Sequence, residues 1–167
     1  MDEVIVVNEK DEEVEIVSRT KAHKEGLSHR VAAVYVTRSN GDILIQERIS
    51  GRLDHSSAGH VDPGESYLEA ARRELCEELG ICDGELYEVG SAKSDEHYPN
   101  RNEHVVHVFK IFEIEAEPST LAEEEVKSVF WENSRVVWKN MQSDTIDKIY
   151  TGGFKHTLRE FIRVKNI

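Results

Sequence analysis

The segment from Ser66 to Leu79, SYLEAARRELCEEL, constrains the fold of this chain more than any other. It follows the turn-rich stretch GHVDPGE, Gly59 to Glu65, and is closed by Gly80. Ser66 is a capping residue with Glu69 three positions later, the spacing of a capping box, and Gly80 supplies a left-handed stop. At about 100° per residue, Leu68, Ala71, Leu75 and Leu79 share one stripe, which predicts a helix packed by that face. Glu74, Glu77 and Glu78 fall together roughly 110° away. Like charges at i,i+3 and i,i+4 cost about 0.2–0.5 kcal/mol each, as much as an Arg73–Glu77 pair would gain. A solvated acidic face therefore leaves the crowding unexplained. Carboxylates are hard oxygen ligands, and a divalent ion such as Mg²⁺ or Mn²⁺, which also grips phosphate oxygens, accounts for both charge and spacing.

Composition narrows the partners. The 167 residues, 38% hydrophobic and 32% charged, fit one folded domain spanning 1–167. The formal net charge of −12 repels nucleic acid polymers and acidic membrane surfaces, so a phosphate ligand needs local cations. Met1-Asp-Glu-Val lacks a basic n-region and no apolar run is long enough to span a membrane, so a cytoplasmic address is expected. Cys76 and Cys82 are too few for a disulfide framework and match no zinc spacing, so no thiol chemistry is expected.

Strand patterns flank the helix. Val4–Val7 and Val14–Val17, around the polar turn Asn8 to Glu13, predict an N-terminal hairpin over about residues 1–20. Val31–Thr37 and Ile43–Gln46, around Asn40-Gly41, predict a second hairpin. Leu86–Ser91, Val105–Ile114 and Val126–Trp131 supply further strands, and a last helix is expected over Asp144–Val164. The order predicts an α/β domain, a mixed sheet flanked by a mid-chain and a C-terminal helix.

Gly59, five residues, Glu65, seven residues, Arg73-Glu74-Leu75, one residue, Glu77-Glu78, one residue, Gly80-Ile81 resembles the Nudix box, here 59–81, at every fixed position. The resemblance implies the Nudix fold, an α/β/α sandwich with a mixed β-sheet. It also implies metal-dependent attack on a diphosphate linked to another moiety. By that likeness Glu74, Glu77, Glu78 and the Gly59 carbonyl are the metal ligands, Arg73 orients glutamates, and Glu65 supports the loop. The residues suit such chemistry, because a metal-bound water is acidified and a carboxylate can take its proton. Glu78 and the later cluster Glu123-Glu124-Glu125 both remain candidates for the base.

Outside the box, RTKAHKEGLSHR (Arg19–Arg30), ILIQER (Ile43–Arg48) and LDHSSAGHVDPGES (Leu53–Ser66) are similar to bacterial Nudix proteins related to isopentenyl diphosphate isomerase. In those isomerases, histidines matching His23, His29 and His60 bind a metal, which makes these residues a possible second metal site. A cysteine before the box glycine transfers protons there; here that position is Ala58, whose methyl can do neither half of the transfer. Ser57, next to it on a strand, is expected to face the other way. The complete box favours a Mg²⁺-dependent hydrolase of a nucleoside diphosphate-linked or other organic diphosphate. An isomerase-like enzyme and a non-catalytic diphosphate sensor are the alternatives. Arg48, Arg52 and Arg101 are the candidate phosphate donors, and Tyr67 and Tyr98 the candidate stacking rings. His104 and His107 are expected on opposite faces of their strand and so in separate places. The leaving moiety is not selected by any residue pattern, and a homodimer is compatible with the chain.

Overall fold

Strand β3, Ser28–Thr37, is the spine of the sheet in the computed structural model, which describes residues 2–143 and 149–167. Every residue from Val31 to Val36 is buried, as in a strand covered on both faces. Strand β8, Glu103–Glu115, runs parallel to it from Ser28↔Val106 to Thr37↔Glu115. The opposite edge takes β6, Ser57–His60, antiparallel from Val31↔His60 to Val34↔Ser57, and β1, Glu3–Val7, at Val6↔His29. Strand β7, Tyr87–Tyr98, pairs with β8, and β2, Glu13–Ser18, pairs with β1. Strand β4, Asp42–Arg48, lies between β5, Leu53–Asp54, and β9, Val126–Asn133.

Helices cover both faces, and strand alternation decides which side chains meet which helix. Ala70, Ala71, Leu75 and Leu79 of α2, Tyr67–Leu79, pack with Ala32, Val34 and Val36 of β3, Leu44 of β4 and Phe112 of β8. On the other face, Val137 and Met141 of α3, Ser134–Ser143, join Phe154, Leu158 and Phe161 of α4, Gly152–Lys165. These meet Tyr35, Ile43, Ile45 and Ile111. Each large side chain so buried contributes about 1.5–3 kcal/mol. The result is an α/β/α sandwich around a mixed sheet. No helix among the described residues is long and apolar enough to cross a membrane.

Several local expectations are corrected. The Asn40-Gly41 turn is present, with Gly41 at φ 89°, but β3 and β4 share only the pair Thr37↔Ile43 before diverging to β8 and β9. The C-terminal helix starts at Gly152, since Tyr150 bridges to Leu53 and the Thr151 hydroxyl caps the Phe154 N–H; residues 144–148 lie outside the described residues. Helix α1, Arg19–Glu25, capped by Ser18 and Gly26, and helix α3 were not anticipated. Leu68 is 40% exposed and does not join the packed stripe; Ala70 takes its place. Cys76 and Cys82, too few for a disulfide framework, form one disulfide, where no thiol chemistry is expected from the sequence.

Candidate active site

The glutamates gather on one wall of a cavity of about 660 Å³. The capping box of α2 is formed in both directions: the Ser66 hydroxyl accepts from the Glu69 N–H, and Glu69 accepts from the Ser66 N–H at 2.7 Å. This fixes where the helix starts and hence which residues face β6. Gly59 on β6 lies directly against Glu74, so close that a Cβ at this position would overlap its carboxylate. Glu74, Glu77, Glu78, Gly59 and, from the later cluster, Glu125 all line the cavity.

Arg73 organises the loop beneath them. Its Nε and Nη2 donate to Glu65 at 2.8 and 2.9 Å, Nη1 to Glu74 at 2.6 Å, and Nη2 also to the His60 carbonyl at 3.0 Å. The two-pronged contact to Glu65 is the geometry for which arginine is suited. Glu65 therefore ties the loop to the helix.

The three glutamates differ in environment. Glu77 keeps 60% of its side chain exposed, 3.7 Å from Arg73. Glu78 is only 4% exposed, and its Oε2 accepts from Gln46 Nε2 at 2.7 Å. Burial raises its pKa to about 8, with the charges of Glu74, Asp54 and Glu125 adding to the effect. Burial also raises Glu74, against the pull of Arg73. Two carboxylates whose charged form is disfavoured by burial, with oxygen-only donors, fit a hard divalent cation, whose charge would offset their desolvation.

Arg48, Arg52 and Arg101 line the same cavity. Arg48 donates to Asp54 at 3.0 Å and Arg52 to the Tyr150 carbonyl at 2.7 Å, while Arg101 lies 3.3 Å from Glu103 with its guanidinium 4.3 Å from the centre of the Tyr98 ring. Tyr98 lines the cavity; Tyr67 does not, because its hydroxyl is bound to Asp11 at 3.1 Å and its ring packs in the core.

His23, His29 and His60 converge, and a fourth histidine joins them. His107 belongs to the group, with ligand-capable atoms of all four within 4.8 Å of one another. Parallel pairing sets His29 beside His107, and antiparallel pairing sets Val31 beside His60, so β3 draws both rings inward. The Nε2 atoms of His60 and His107 are buried without a hydrogen-bond partner. Burial lowers His29 to about 4 and pushes His60 and His107 well below the usual histidine range, so the cluster is neutral at pH 7. Neutral imidazoles are metal ligands. Alternation along β8 could have separated His107 from His104 but not placed it here; that needed the register of β3 with β8. His104 lies elsewhere, bound to Asp95 at 2.7 Å. Ser57 is fully buried, with its hydroxyl unpartnered, and Ala58 lines the cavity in its place.

Fold and site define an α/β/α sandwich in which one loop–helix–loop unit brings carboxylates to a cavity beside β6. That unit is the Nudix box, and the chain belongs to the Nudix family, whose NUDIX domain model matches residues 27–150. Among curated relatives it is 37% identical over 98 residues to an isopentenyl-diphosphate Delta-isomerase of Serratia proteamaculans, covering 54% of each chain. It is 39% identical over 84 residues to the uncharacterized Nudix hydrolase YfcD of Escherichia coli, covering 47% of each. The chain thus spans about half the length of the curated relatives it matches. The crystal structure of DR0079 from Deinococcus radiodurans shares the fold over 94% of this chain and 97% of that one, with a TM-score of 0.72 at 24% identity.

Proposed function

We propose that the protein is a Mg²⁺- or Mn²⁺-dependent hydrolase that cleaves a phosphoanhydride bond in a nucleoside diphosphate-linked or other organic diphosphate. The observation that carries this reading is one cavity with Glu74, Glu77 and Glu78 on one wall and Arg48, Arg52 and Arg101 around it. Glu74, Glu77, Glu78 and the Gly59 carbonyl would hold the ion, which when bound polarises a phosphoryl oxygen and acidifies a water. The arginines orient the diphosphate and balance its charge, against a protein of net charge −12. Arg73 holds Glu65 and Glu74 in place. Glu78, and Glu125 of the Glu123-Glu124-Glu125 cluster, both at the cavity, are the candidate acceptors for the proton of the attacking water. The substrate is a small molecule of the cytoplasm, with neither a nucleic acid polymer nor a membrane as partner.

A second ion at the histidine cluster is supported by the unpartnered Nε2 atoms of His60 and His107. The all-nitrogen donor set of His23, His29, His60 and His107 suits zinc or another late first-row metal better than Mg²⁺. Co²⁺ substitution followed by visible spectroscopy tests it: tetrahedral bands lost in His60→Ala are expected, and no bands in the parent protein would refute the site.

The hydrolase reading is tested by incubating nucleoside di- and triphosphates, dinucleotide polyphosphates, nucleotide sugars and prenyl diphosphates with the protein and assaying phosphate or pyrophosphate release. Release with Mg²⁺, abolished by EDTA and restored by Mg²⁺ or Mn²⁺, is expected. Turnover that persists in excess EDTA would overturn metal dependence.

A further inference from the structure

The disulfide between Cys76 and Cys82 starts inside the glutamate motif and ends at the residue just after it. Cys76 falls between Glu74 and Glu77 on α2, and Cys82 lies just past Gly80, whose φ of 67° turns the chain back and brings the two Cα atoms to 4.4 Å. The bond closes the turn that presents Glu77 and Glu78. A last helical turn has carbonyls without intrahelical partners, so it frays unless something else holds it. Here the Gly80 N–H caps the Cys76 carbonyl, Leu79 and Ile81 are buried in the core, and a loop adds further bonds: Ala122 N–H donates to the Glu78 carbonyl and Ser119 N–H to the Leu79 carbonyl, each at 3.0 Å, while the Ser119 hydroxyl donates to the Gly80 carbonyl at 2.8 Å. The same loop continues to Glu125 at the cavity.

We propose that Cys76 and Cys82 form a reversible thiol–disulfide exchange site whose redox state sets the metal affinity of the adjoining carboxylates. The proposal rests on the reading of Glu74, Glu77 and Glu78 as metal ligands. The reactant is a thiol, either small or on a protein. Cys82 is exposed and Cys76 half-buried, so an incoming thiolate attacks the Cys82 sulfur, forming a mixed disulfide and releasing the Cys76 sulfur, which takes a proton from water. A second thiol displaces the first as an external disulfide and frees the Cys82 thiol. Two external thiols are oxidised and one protein disulfide is reduced; an external disulfide reverses the sequence. The oxidised form pre-organises Glu77 and Glu78, and the reduced form lets their turn fray.

Mn²⁺ titration followed by electron paramagnetic resonance, without substrate, compares protein oxidised by glutathione disulfide with protein reduced by dithiothreitol. Thiol labelling and mass spectrometry report the bond itself. Reduction is expected to expose two thiols together, raise the mass by about 2 Da and weaken Mn²⁺ roughly fivefold, equivalent to about 1 kcal/mol. Cys76→Ser/Cys82→Ser is expected to bind as the reduced protein does under either condition. Freely reacting thiols in the oxidised sample, or equal Mn²⁺ affinity in the two forms, would overturn the proposal while leaving the hydrolase reading intact. Failure of both forms to bind Mn²⁺ would instead refute the ligand assignment, and the proposal with it.

Discussion

The carbonyl of His60 accepts a 3.0 Å hydrogen bond from Arg73, while the ring of the same residue stands 5.1 Å from that of His29 and nearly parallel to it. One residue thus belongs to two clusters, its backbone to the carboxylate loop and its side chain to the histidines. Alternation along β6 makes this possible, since Gly59 faces Glu74 and the next side chain points away. Displacing either cluster moves the same short strand.

Glu78→Gln should abolish most turnover and strengthen the fold. The variant loses a metal charge but keeps an oxygen able to accept from Gln46, and it removes a buried carboxylate held near pKa 8. We expect at least a hundredfold lower kcat, weaker Mn²⁺ binding, and metal-free stability at pH 8 higher by about 1 kcal/mol or more. Urea denaturation and Mn²⁺ titration check the two halves; full activity with unaltered metal affinity would remove Glu78 from the site.

The metal-free protein should be most stable near pH 6.5. A carboxyl with a folded pKa raised from 4.5 to about 8 adds no penalty at low pH. As pH climbs between those values only the unfolded chain ionises, and stability falls until it levels above about 8. Glu74, also raised, adds to this limb. Histidines act with the opposite sign: His29, lowered from 6.5 to about 4, loses stability as pH falls through that window, joined by His60 and His107. Denaturation from pH 5 to 9 in EDTA should show a maximum between the two limbs. Glu78→Gln should flatten the alkaline one; an unchanged alkaline limb in that variant would show that Glu78 is not its source.

Gly59→Ala should be far more damaging than its single methyl suggests. The added Cβ overlaps the Glu74 carboxylate, which Arg73 holds on the other side and cannot release without unpairing a partly buried charge. Circular dichroism is expected to show a folded protein with Mn²⁺ affinity and kcat each lower by at least tenfold. Unaltered Mn²⁺ binding would mean that Glu74 contributes nothing to the ion.

Isopentenyl diphosphate should not isomerise. Protonating its alkene and removing a proton across the bond needs two acid–base groups at the reacting carbons. Ala58 supplies none, and Ser57, although adjacent, is fully buried on the other face of β6. Proton NMR in deuterated buffer, with Mg²⁺ and a late first-row metal present, should show neither deuterium uptake nor the dimethylallyl isomer. Either signal would mean that another group has taken the role.

The glutamate helix was legible because its causes are local: a capping box, a left-handed glycine and a hydrogen-bonded helix determine where each carboxylate points, whatever surrounds it. The strands of the mixed sheet could be read in the same way from β-branched runs and turns. Partnership was not legible. The Asn40-Gly41 turn predicted a hairpin, yet β3 found β8 and β4 found β9, because long-range pairing buries Tyr35, Ile43 and Ile45 between sheet and helices, as a two-stranded ribbon cannot. The same register brought His107 beside His29 and left His104 outside. Burial of Glu78 likewise needed Gln46 and the folded sheet above it, since helical phase gives a direction but not what lies there. Sequence by itself determined the local geometry of the chemistry, and only tertiary structure decided which carboxylate is desolvated and which histidines share a site, because each depends on contacts between distant parts of the chain.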